Sequence, residues 1–186
     1  MLFEQTPADI TVEPVTWNGY SLTAFRANPA LSRETNAYSA TLRKDGRKIG
    51  VLSNSGNGGA SRIDAGPGAS RALEQEIVDA PSGIRLSSGL EPSADSVLEL
   101  IADTARILSA KARVVRFVVA KGRDENLTLG EVLYNPDLMI HTIPMRGEGD
   151  AMVHRSIRRG MAVTGATEVY FGLRGRLYRM TKSEVR

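Results

Sequence analysis

Short runs of alternating hydrophobic and polar residues occupy the first 52 residues and predict β-strands. The four runs cover residues 10–17, 20–27, 38–42 and 48–52. Asn18-Gly19 separates the first pair and Asp45-Gly46 separates the second, and both dipeptides favour hairpin turns because their residues tolerate positive φ. The pattern therefore predicts two hairpins in one antiparallel sheet, with Pro14 placing the first strand at an edge.

Apolar residues at helical spacing follow the strands. They predict helices over residues 69–79, 93 to about 110 and 151–163. Ser93 is the expected N-cap of the second helix. Residues 113–120 are compatible with a continuation of that helix or, because β-branched residues are dense there, with a strand.

The remaining segments predict one loop-rich region and one closing hairpin. Between residues 125 and 144 we expect little regular structure apart from a candidate strand at 132–134, because prolines interrupt the pattern. Residues 167–172 and 176–182 alternate on either side of a glycine turn and predict the hairpin.

These elements predict an α+β fold. An antiparallel sheet from the N-terminal hairpins packs against two or three helices, and a C-terminal helix plus β-hairpin follows. We expect one domain over residues 1–186, since a chain of this length can bury its own core. If the domain is subdivided, the units are a β-rich sheet at 1–64, a helical cover at 69–135 and a basic helix-hairpin at 151–186.

Composition narrows the classes of function. The chain has no cysteine, which excludes disulfides, thiolate metal sites and a cysteine nucleophile. It has two histidines, too few for a histidine-built metal centre. No apolar run is long enough for a membrane span, and the N-terminus does not resemble a signal peptide. We therefore expect a cytoplasmic protein without a cofactor or a metal ion.

The second predicted hairpin ends in the glycine-rich segment SNSGNGG, residues 53–59. Successive backbone N–H groups of such a segment can form an anion-binding nest. The predicted ligand-binding residues are Ser53, Asn54, Asn57, Gly58, Gly59 and Arg62. The alternative is a structural turn, since the segment lacks both the Walker A and the GxGxxG patterns.

Positive charge is concentrated near the C-terminus. Residues 151–186 carry eight Lys/Arg and two Asp/Glu, whereas the first 150 residues carry 16 and 19. The arginines expected to contact phosphates or an acidic protein surface are Arg155, Arg158 and Arg159 on the predicted helix, and Arg174, Arg176 and Arg179 in the closing hairpin. The alternative is a solvated helix face that binds nothing.

One segment of note is YSATLRKDGRKIGVLSNSGNGG, residues 38–59. Another is the basic helix HRSIRRGM with the hairpin VYFGLRGRLYRM that follows it. These two segments resemble a group of small uncharacterised proteins encoded by bacteriophages and other mobile elements. The resemblance leaves the middle of the chain unmatched. It implies an accessory role in the cytoplasm of a bacterial host, and it supplies no known catalytic residues.

Together these features predict a non-enzymatic protein that binds a phosphate-bearing ligand or an acidic protein surface. The resemblance implies that it inhibits a host defence system. One alternative is a DNA- or RNA-binding accessory protein, in which Tyr170 and Tyr178 would stack on bases. The other is a nucleotide- or nucleic-acid-processing enzyme with metal-binding carboxylates at Asp124, Glu125, Glu131 and Asp137. The expected partners are a host protein, a nucleoprotein complex, a nucleotide or a nucleic acid, and no membrane.

Overall fold

A computed structural model describes residues 9–85, 88–89, 91, 94–109, 113–134, 140–147 and 149–183. The strands are β1 (Ile10–Pro14), β2 (Tyr20–Ala27), β3 (Tyr38–Lys44), β4 (Arg47–Asn54), β5 (Arg62–Asp64), β6 (Val114–Lys121), β7 (Ile140–Pro144), β8 (Glu168–Leu173) and β9 (Arg176–Lys182). The helices are α1 (Ser70–Asp79), α2 (Ala94–Ile107), α3 (Leu129–Tyr134) and α4 (Asp150–Thr164).

The strands form two antiparallel sheets, and the predicted α+β class is confirmed. One sheet has four strands in the order β2-β3-β4-β5, and the other has five in the order β1-β9-β8-β6-β7. Helix α2 lies between the two sheets, since it contacts β2 of the smaller sheet and both β8 and β9 of the larger one. Helix α4 packs on β6, β7 and β8, on the face of the larger sheet that points away from α2.

The first predicted hairpin is wrong in its pairing, although its turn forms. Trp17 and Tyr20 make a single antiparallel bridge around Asn18 and Gly19, which have φ of 48° and 78°. Beyond this bridge the two strands separate. β1 pairs with β9, with Ile10 opposite Lys182, at the edge of the five-stranded sheet. The edge position predicted from Pro14 is therefore right, but the sheet is a different one.

The second predicted hairpin is confirmed. Lys44 and Arg47 pair across a two-residue turn in which Asp45 and Gly46 have φ of 48° and 81°. Positive φ at both positions is the geometry that Asp-Gly favours in such turns. The chain then passes through the glycine-rich segment and returns as β5 beside β4, with Leu52 opposite Ile63.

β5 forms one edge of the four-stranded sheet, and helical side chains accept the hydrogen bonds of its outer N–H groups. The backbone N–H of Ser61 donates to Glu99 of α2 at 2.9 Å, and that of Ile63 donates to Glu74 of α1 at 3.0 Å. The N–H of Ala65 donates to the Ser70 hydroxyl at 2.9 Å. The two helices thus cap the row of donors that an edge strand would otherwise expose.

The larger of two hydrophobic cores surrounds α2. The spacing of apolar residues along α2 buries Val97, Ile101 and Ala105 against both sheets, as predicted from the sequence. The helix begins at Ala94, and the expected N-cap Ser93 lies outside the described residues. This core contains residues from all three predicted units of the chain, including Leu42, Leu98 and Tyr170.

The segment after α2 is a strand rather than a continued helix. β6 buries Val115 and Phe117 on one face and Val118 and Ala120 on the other. This density of β-branched side chains fits the pleated centre of a sheet. The candidate strand at 132–134 is wrong, because those residues lie in helix α3, where Val132 and Leu133 are buried.

Helix α4 packs over the smaller core. Val153, Ile157 and Met161 lie against Val115, Phe117 and Phe171 of the sheet. Gly160 permits the close approach, because a Cβ at this position would lie 2.5 Å from Phe117 Cζ and 3.2 Å from Ile143 Cδ1. The predicted closing hairpin is confirmed as β8 and β9, which pair from Glu168 opposite Thr181 to Leu173 opposite Arg176.

Candidate functional site

Asn54, a predicted ligand-binding residue, is buried and holds the glycine-rich loop together. Its Oδ1 accepts from the Gly56 N–H at 2.8 Å and from the Thr35 hydroxyl at 2.9 Å. Its Nδ2 donates to the Gly59 carbonyl at 2.9 Å. Both ends of the amide are therefore occupied by partners within the protein.

The backbone of the loop also faces the protein. The carbonyl of Gly56 accepts hydrogen bonds from three consecutive N–H groups, those of Arg33, Glu34 and Thr35, at 2.9 to 3.3 Å. Gly56 has φ of 84° and packs against Leu31 and Ala37, where a Cβ would clash. A nest of N–H groups is present, but it is formed by Arg33, Glu34 and Thr35 and not by the loop. The Gly56 carbonyl of the loop already occupies this nest.

The other predicted loop residues remain accessible. Asn57, Gly58 and Gly59 are exposed at the tip, and the Gly58 N–H lies 3.4 Å from the Thr35 hydroxyl. Ser53 and Arg62 pair across β4 and β5. Ligand binding by these residues stays a prediction, and Asn54 has no polar group left over for it.

The three arginines predicted on α4 share one feature. Arg155 and Arg159 are exposed and Arg158 is partly buried. In the described part of the chain, none of the three lies within ion-pair distance of a carboxylate. Arg146, just after β7, is likewise exposed and has no such partner there. We call these four residues the α4 arginine face.

The three arginines predicted in the closing hairpin are not part of the α4 arginine face, and each of them contacts another side chain within the fold. Arg174 forms an ion pair with Asp150 at 2.9 Å. Arg176 lies over the ring of Tyr178, with Cζ 5.9 Å from its centroid. Arg179 pairs with Glu168 at 3.0 Å and with Glu13 at 3.4 Å.

Arg179 belongs to a partly buried charge network that sequence reasoning missed. At its centre is Glu168, whose side chain is 7% exposed. Its carboxylate also accepts from the Tyr170 hydroxyl at 3.2 Å and lies 3.4 Å from Lys121 Nζ. Burial, with the Glu168 charge next, raises the pKa of Tyr170, so its hydroxyl stays a donor. Tyr170 and Tyr178 are both buried, and Tyr178 stacks on Phe171.

A pocket of about 300 Å³ lies between α4 and β7. Its lining combines apolar residues with cations: Phe117, His141, Thr142, Ile143, Pro144, Arg146, Arg159, Gly160, Val163 and Thr164. The rings of His141 and Phe117 stack with centroids 5.3 Å apart. No local pattern in the sequence indicates this pocket, because its residues come from three separate segments of the chain.

A second groove of similar size flanks the other side of α4. Arg158 and Lys182 line it together with Asp9, Ile10 and Thr167. Arg158 and Arg159 therefore face different cavities, although they are neighbours in sequence. The glycine-rich loop lies near neither groove. Ser61, two residues after the loop, donates to Glu99 of α2, and the five-stranded sheet separates α2 from α4.

His154 faces the core from α4. Burial lowers its pKa below the ordinary value of 6.5, and nearby Arg158 adds to the shift while Asp150 opposes it. As pH falls through 6.5, the unfolded chain gains a proton that the folded protein resists, so the free energy of unfolding should decrease. A His154→Gln variant should show a flatter dependence on pH in urea unfolding between about pH 7.5 and 5. Parallel curves for the two proteins would contradict this expectation.

The carboxylates of the enzymatic alternative do not form a metal site in the described ranges. There, no three His, Cys, Asp or Glu side chains group closely enough to hold a metal ion. Glu131 instead caps α3, where it accepts from the Thr128 N–H at 2.8 Å. Asp137 lies outside the described residues.

Among the helices of the described segments, none has the length and apolar character needed to cross a membrane.

Comparison with protein-family models, with curated proteins and with solved structures gave no match to this chain. The resemblance to phage and mobile-element proteins therefore stays a prediction.

Proposed function

We propose that this protein is a non-enzymatic binding protein that engages a phosphate-bearing partner through the α4 arginine face, as an accessory protein of a phage or another mobile element. The observation that carries the proposal is the absence of carboxylate partners around Arg146, Arg155, Arg158 and Arg159 in the described part of the chain. The accessory role rests on the sequence resemblance alone.

The contrast with Arg174 and Arg179 supports this assignment. Arg174 and Arg179 are neutralised by Asp150, Glu13 and Glu168 within the fold. Such pairs fix strands and helix ends and leave little charge for a partner. Arg155 and Arg159 hold their guanidinium groups in solvent on a helix, which suits repeated contact with phosphate oxygens.

The glycine-rich loop is not part of this proposed site. Asn54 and the Gly56 backbone are committed to bonds inside the fold. The loop lies on the α2 side of the five-stranded sheet, whereas α4 lies on the opposite side. One compact ligand cannot contact both.

The test is binding of fluorescent single-stranded and duplex oligonucleotides, measured by anisotropy at two salt concentrations. The variant R155Q/R158Q/R159Q should lose affinity on the order of 100-fold at moderate salt. Each phosphate contact releases counterions, and this release raises the affinity by about fivefold. The slope of log affinity against log salt should become shallower by about two.

The matched control is R26Q/R33Q/R71Q, which removes the same charge from three exposed arginines in the other half of the molecule. We expect its affinity to stay within about threefold of the wild type. Equal losses in the two variants would mean diffuse charge attraction rather than a site. If neither oligonucleotide binds, and polyglutamate does, the partner is an acidic protein surface and the phosphate proposal fails.

A further inference from the structure

The pocket between α4 and β7 has a lining that phosphate binding alone does not require. Phosphate needs only cations and hydrogen-bond donors, yet the apolar surfaces of Ile143, Pro144 and Val163 adjoin Arg146 and Arg159 here. We propose that this pocket receives one unstacked base of a single-stranded nucleic acid, while Arg146 and Arg159 contact the adjoining phosphates. The inference rests on the proposed function and specifies its ligand.

Aromatic rings form the base of this pocket. Gly160 presents no side chain where α4 crosses the sheet, so the buried Phe117 ring lies directly beneath the helix. His141 stacks on that ring with an interplanar angle of 18°. A volume of about 300 Å³ lies at the lower end of the range for small-molecule sites.

Val163 marks the rim of the pocket. The residue is 81% exposed, the highest value among the exposed large hydrophobic residues of the described chain. It lies one helical turn after Arg159, so an apolar surface and a cation are adjacent at the entrance. A nucleotide has the matching arrangement, with an apolar base face close to an anionic phosphate.

The chemistry of the lining favours a single strand over a duplex. Recognition of single strands commonly combines aromatic or apolar platforms with arginines that follow the backbone. In a duplex the bases are stacked and paired, so only the phosphates can reach the α4 arginine face. Thr142 and His141 add polar groups at the pocket that a base edge can use.

The experiment compares three oligonucleotides of equal phosphate number on the wild-type protein: a single strand, a duplex segment and a single strand of abasic sugar-phosphates. The intact single strand should bind about tenfold more tightly than the other two, as expected for one stacked base. Equal affinities for all three would overturn the inference and leave the proposed function standing, whereas no binding at all would overturn both.

A pocket variant and a matched control locate the effect. His141→Ala with Val163→Ser should abolish the tenfold preference for the single strand while binding to duplex stays unchanged. Val78→Ser replaces another exposed helical valine, on α1, and should keep the preference. Preference retained in the pocket variant would overturn the inference, and the abasic comparison does not depend on how well that variant folds.

Small competitors separate a base site from a general site for apolar anions. A nucleoside monophosphate should displace the single strand, and benzoate and inorganic phosphate should not at equal concentration. Displacement by benzoate as effective as that by the nucleotide would overturn the assignment of a base.

Discussion

Replacing Glu168 by alanine is expected to lower the free energy of unfolding by about 2 kcal/mol. The carboxylate is buried and serves Arg179, Lys121 and Tyr170 at once. Its removal leaves the buried Tyr170 hydroxyl without its acceptor. It also takes from Arg179, whose side chain is partly exposed, its closer carboxylate partner. Urea unfolding followed by circular dichroism measures the change.

Two further variants distinguish the charge from the packing. Glu13→Ala removes the exposed partner of Arg179 and should cost less than about 1 kcal/mol, as surface ion pairs do. Glu168→Gln keeps an acceptor for Tyr170 and should fall between the two. A Glu168→Ala protein as stable as Glu13→Ala would show that the network contributes little.

Replacing Gly172 by alanine should also cost about 3 kcal/mol. Gly172 lies in β8 where α2 ends, and a Cβ there would clash with the Ala105 carbonyl and lie 2.8 Å from the Ser109 nitrogen. The obstructing atoms are backbone, so no side-chain rotation relieves the contact. The last turn of α2 would have to move off the sheet.

Gly59→Ala is the matched control for that substitution. Gly59 has no positive φ, and a Cβ there would meet nothing within 4 Å. The alanine should be neutral or stabilise by up to about 1 kcal/mol, since it restricts the unfolded chain. Thermal unfolding of the two variants gives the comparison, and equal midpoints would contradict the close approach of α2 to β8.

Much of the local structure could be predicted from the sequence, because neighbouring residues in the chain determine it. Asp45-Gly46 determines its own turn, and the apolar spacing of α2 and α4 determines which face each helix buries. The strand β1 illustrates the limit. Asn18-Gly19 makes the expected turn, but whether the preceding residues pair with β2 or with β9 depends on a partner more than 150 residues away in the chain.

The candidate site was predictable in part for the same reason. The spacing of Arg155, Arg158 and Arg159 places them on α4, whereas no local signal shows that Arg174 and Arg179 are paired internally with Asp150 and Glu168. The glycine-rich loop had the composition of an anion nest, but the N–H groups that form one belong to Arg33–Thr35. Composition determines which backbone conformations a segment can adopt. Tertiary contacts determine which conformation forms and which groups it binds.

The capped edge of the four-stranded sheet bears on how copies of this protein behave at high concentration. The outward N–H groups of Ser61, Ile63 and Ala65 already donate to Glu99, Glu74 and Ser70. A strand from another molecule would find acceptors there without donors, and it would meet two carboxylates. The edge is thus a poor template for intermolecular β-pairing. Because α1 and α2 supply the caps, this edge resists β-pairing only while both helices remain docked.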